Sequence, residues 1–88
     1  MKHQPHFDTR EAALIWKMIG ELDRGIQLLN ADIVAEELRV RIFNRSDAAY
    51  PILARMLATR RDNLRDTITA LEQRLSKLDQ AELLAEPA

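Results

Sequence analysis

The chain has 88 residues, 47% apolar and 31% charged, with two Gly, three Pro and no Cys. That composition excludes a disordered tail, a collagen-like repeat, a disulfide scaffold, a thiolate metal site and a cysteine nucleophile. The net charge of −1 argues against a general polyanion binder, and the longest unbroken apolar run, 12–16, is too short to span a bilayer or serve as a signal peptide.

A chain this short is expected to form one helical domain over 1–88. Residues 1–7 read as a disordered N-terminus. His3, third from the amine, has the spacing of a square-planar copper or nickel chelate, but no second ligand cluster supports it and no metal is expected. Helix one is predicted over 8–43. Asp8 with Glu11 three residues on forms a capping-box pattern, and a 4-3 repeat follows through Ala12, Ile15, Ile19, Leu22, Ile26, Leu29, Ile33, Glu36, Val40 and Phe43. Nine of those ten positions are apolar, so helical period outweighs strand period. Gly20 and Gly25 each cost about 1 kcal/mol inside a helix, so an alternative reading breaks helix one between Gly25 and Asn30 and gives three helices.

Residues 44–47 read as a turn. Helix two is predicted over 48–80, capped by Ser46 or Asp47, with Pro51 tolerated in its first turn. Its seam is Tyr50, Ala54, Leu57, Arg61, Leu64, Ile68, Leu71, Leu75, Leu78 and Glu82, and residues 81–88 read as a frayed end. Leu57, Leu64, Leu71 and Leu78 sit seven apart, but Arg60, Arg61 and Arg65 lie within those heptads and form no basic helix ahead of them, which argues against a leucine-zipper DNA binder.

Two helices of about 54 and 50 Å joined by a short turn make an all-α antiparallel two-helix hairpin. One seam cannot cover the rest of the apolar inventory: Leu14, Trp16, Met18, Leu28, Val34, Leu38 and Ile42 on helix one, and Ile52, Leu53 and Met56 on helix two. That surplus exceeds what a soluble monomer leaves exposed, so dimerisation into a four-helix bundle is expected. The segments 33–43 and 48–58 are apolar on nearly every side, which marks the turn end as buried against something. Charge divides at the same place: net −3 over 1–38, +5 over 39–65 and −3 over 66–88. A folded hairpin is then basic at its tip and acidic at the end carrying both termini, which favours an antiparallel homodimer. Any single tip arginine has an ordinary solvated reading, with Glu37–Arg41 and Asp62–Arg65 as surface pairs.

No Gly-rich phosphate loop, metal-ligand spacing or Ser/His/Asp set is present, so no enzyme activity, cofactor, catalytic residue or metal ligand is expected. The expected hairpin resembles, in shape alone, ROP-type RNA-binding hairpin dimers and the small helical-hairpin chaperones of bacterial secretion systems, and this resemblance implies no residue roles. The pattern points to a cytoplasmic protein-interaction module, an adaptor, chaperone or regulator. Its tip would contact a protein partner with an acidic surface through Val34, Leu38, Ile42, Phe43, Tyr50, Ile52, Leu53 and Met56, oriented by Arg39, Arg41, Arg45 and Arg55. Two other readings use the same residues: a nucleic-acid-binding hairpin dimer, with Phe43 or Tyr50 stacking on bases, and a structural subunit of a larger assembly.

Overall fold

A computed structural model describes residues 6–85, with side chains over 10–81. Apolar side chains recurring every three or four residues drive two helices, α1 (His6–Val40) and α2 (Ile52–Ala85), to share one seam. Ile15, Ile26 and Ile33 of α1 are buried there with Ala54, Ala58 and Leu78 of α2 and Tyr50 of the connection. Glu11 meets Arg74 near one end and Asn30 meets Arg61 near the other, so the helices run antiparallel. The product is a rod of 63 × 19 × 13 Å. Around the fully buried Ala54 and Ala58, small side chains let the helices approach closely, and Ile33, Tyr50, Ile42 and Leu57 close over them.

The glycines do not break α1, so the three-helix alternative falls. A Cβ on Gly25 would sit 3.5 Å from Leu64 Cδ1, an ordinary packing distance, and packing against α2 overrides the weak intrinsic preference of glycine. The expected ends are corrected at both sides of the tip. α1 stops at Val40, not at 43, because Arg41 turns into the left-handed region with φ 62° while its N–H closes a 2.6 Å bond to the Glu37 carbonyl. α2 starts at Ile52, not at 48. Pro51 has no N–H for a helix interior, and its ring disfavours the helical region for Tyr50. The first helical bond therefore runs from Arg55 N–H to the Pro51 carbonyl, 3.1 Å, and neither Ser46 nor Asp47 is the cap.

The far ends also differ from expectation. α1 begins at His6, which puts Asp8 inside the helix instead of at its cap, and α2 continues to Ala85, past 80. His3 lies outside the described residues, as do the rest of 1–5 and 86–88.

Candidate functional site

The tip is a built structure of eleven residues, 41–51. After the left-handed turn at Arg41, Ile42 folds back onto the Ile33, Tyr50, Ala54 and Ala58 cluster. Asn44 Oδ1 accepts from Ser46 N–H at 2.9 Å and Asp47 Oδ1 from Ala49 N–H at 2.8 Å. Backbone bonds from Asp47 to Asn44 and from Tyr50 to Asp47, both 3.0 Å, stack two turns in succession. Tyr50 then plugs the end of the seam. Its hydroxyl donates to Glu37 Oε2 at 2.7 Å, and the Arg55 guanidinium stands 5.3 Å from its ring centroid while donating to the Arg45 carbonyl at 3.2 Å. The bond to Glu37, then burial, raises the Tyr50 phenol above its ordinary value of 10.0.

The residues predicted to meet a partner divide into two groups. Val34, Leu38, Phe43, Ile52, Leu53 and Met56 stand 50–75% exposed, and they do gather at this end. Tyr50, in contrast, is core: its ring is covered and its hydroxyl is committed. Ile42 is half-buried against the same cluster. Among the arginines, Arg39 is held by Glu36 through bonds of 2.9 and 3.2 Å, which keep the Glu36 carboxyl below the usual range. Arg55 braces the loop. Arg41 and Arg45, with Arg60 farther along α2, make no ion pair among the described residues. Glu37 accepts from Tyr50 and not from the Arg41 side chain, whereas the expected Asp62–Arg65 pair forms at 3.7 Å.

One cleft of about 210 Å³ opens beside the tip, walled by Ile33, Val34, Tyr50 and Ala58 and rimmed by Asn30, Glu37, Arg45 and Arg61. Ligand pockets usually span about 300–1,000 Å³, so this one suits a single side chain and not a cofactor. Arg61, at a seam position, spans the helices to Asn30 Oδ1 at 3.1 Å and also meets Asp62. Glu36 and Arg61 do not pair. The Asn30–Arg61 bond was not foreseen, although counting outward from a turn centred near residue 45 places these two opposite each other. Among the described residues, no three metal-binding side chains converge and no helix is long and apolar enough to cross a membrane.

A second exposed group belongs to the apolar surplus from which dimerisation is expected. Leu14, Trp16, Met18 and Leu28 stand on the part of α1 away from the tip, with Trp16 62% exposed. No family model, curated protein or solved structure matches this chain.

Proposed function

We propose that the hairpin is a non-enzymatic protein-interaction module, an adaptor, chaperone or regulator in the cytoplasm, which self-associates and holds an acidic protein partner at its tip. The observation that carries this reading is the coincidence at one end of six exposed apolar side chains with arginines that lack an ion pair among the described residues. Met, Phe and Arg are enriched in interface cores, and a pocket sized for one side chain fits a protein surface better than a small ligand.

The test is capture from the native host on immobilised wild-type chain, compared with Ile52→Asp and Met56→Asp. Both positions are exposed in the single chain, so neither change unfolds the hairpin. A partner retained by wild type and lost from both variants supports the reading, and retention indifferent to them sinks it. The nucleic-acid reading draws on Phe43, exposed between Arg41 and Arg45, but buried Tyr50 cannot stack. Co-purifying nucleic acid that high salt removes would favour that reading.

A further inference from the structure

Resting on the module reading, we propose that one flank of α1 is the self-association face. It takes a second copy of this chain, antiparallel about Gln27, with each Trp16 packed on Leu38 of the other copy.

The register follows from helix arithmetic. Val34 lies eighteen residues, about five turns, beyond Trp16, so the two side chains project the same way, and Leu38 stands about one turn farther along that line. All three are at least half exposed in the single chain. Gln27 is midway between Trp16 and Leu38, about 16 Å from each, and on the same flank. A two-fold axis through Gln27 sets Trp16 over Leu38 of the second copy, twice. The same axis sets Val34 over Gly20 of the second copy, where a Cβ would meet nothing within 4 Å. A branched side chain thus faces a notch without any adjustment of register.

Charge fixes the direction. With Asn30 beside Arg61 and Glu11 beside Arg74, the half of the rod at the tip, 26–65, carries +2, while the rest of the chain carries −3. Copies aligned tip to tip would set like charges side by side, whereas the antiparallel arrangement opposes unlike ends. The rod measures 63 × 19 Å across its broad side, so one side of the hairpin is large enough to hold the roughly 800 Å² per partner of a standard interface. The face takes Val34 and Leu38 from the tip group and leaves Phe43, Ile52, Leu53 and Met56 for the acidic partner. Ala58 lines the cleft beside Val34, and Met56, two residues from Ala58, projects from the opposite side of α2.

Because the chain has no cysteine, a single introduced thiol reports its own neighbourhood. Gln27→Cys, at an exposed position, should cross-link to itself nearly completely under mild copper–phenanthroline oxidation, and Arg45→Cys should not. Emission of Trp16, the sole tryptophan, should shift to the blue as concentration rises. In Leu38→Asp it should stay red at every concentration, with helix content unchanged and a monomer by light scattering. Cross-linking of Arg45→Cys would show tip-to-tip pairing and overturn the proposal. So would a dimer whose Gln27→Cys stays reduced, or a wild-type monomer at tens of micromolar. Met56→Asp leaves this face untouched. Partner capture that survives a failed cross-link would therefore remove the face but keep the module, and a formed cross-link without tip-dependent capture would do the reverse.

Discussion

Tyr50 shows how little a residue type says about its use. Its position fitted the seam and its aromatic ring fitted a contact surface, and the pattern alone could not choose between them. The choice is made by Pro51, which ends the connection there and turns the ring inward, and by Glu37, whose carboxylate lies within reach of the hydroxyl. Tyr50→Phe should cost about 1 kcal/mol in urea titration, since Glu37 loses its donor. The phenol is raised in the folded chain, so its contribution is whole below pH 10.0 and is lost as pH rises through the folded value. Tyr50→Phe should flatten that alkaline limb. Arg41 carries the opposite sign. A non-glycine residue at φ 62° is strained by about 1 kcal/mol, so Arg41→Gly should raise the melting temperature. An unchanged or lower value would show that the arginine side chain offsets the strain.

At the scale of the helices, the 4-3 repeat located the seam closely: every described position is buried or half-buried except Phe43. Burial follows from periodicity, which is a property of sequence. The ends were less legible, because a left-handed residue at Arg41 and stacked turns at Asn44 and Asp47 depend on what the chain must pack next. At Gly25 helix continuity is supported by packing against α2, while Gly20 faces open space. Gly25→Ala places its methyl at ordinary distance from Leu64 and should stabilise the fold by up to about 1 kcal/mol, read as a higher urea midpoint. The far end is clamped by Arg74, whose bonds of 2.8 and 3.1 Å hold the Glu11 carboxyl below its ordinary 4.5. A depressed carboxyl stabilises above pH 4.5 and loses that effect as pH falls through its folded value. Arg74→Gln should therefore lessen the acid sensitivity of melting.

For the whole molecule, the arrangement of charge and surplus apolar surface was legible from the order of residues, because a hairpin brings distant segments together in a predictable way. What the sequence pattern alone left open was whether α1 runs unbroken through Gly20 and Gly25, the continuity that sets Trp16, Val34 and Leu38 on one flank. Leu38→Asp should abolish self-association, whereas Gln73→Asp, exposed on α2, should leave it intact, as read by light scattering. Salt should weaken association only modestly, because apolar contact supplies most of the affinity and charge mainly the direction. The rod shape has a consequence for how that is measured. Its radius of gyration is 19.3 Å, against ~12 Å for a sphere-like fold of this length, so a sizing column calibrated on globular standards would overstate the mass of a monomer. Small-angle X-ray scattering separates the cases. Two rods lying alongside one another barely change the radius of gyration while doubling the forward intensity, and two joined end to end nearly double both.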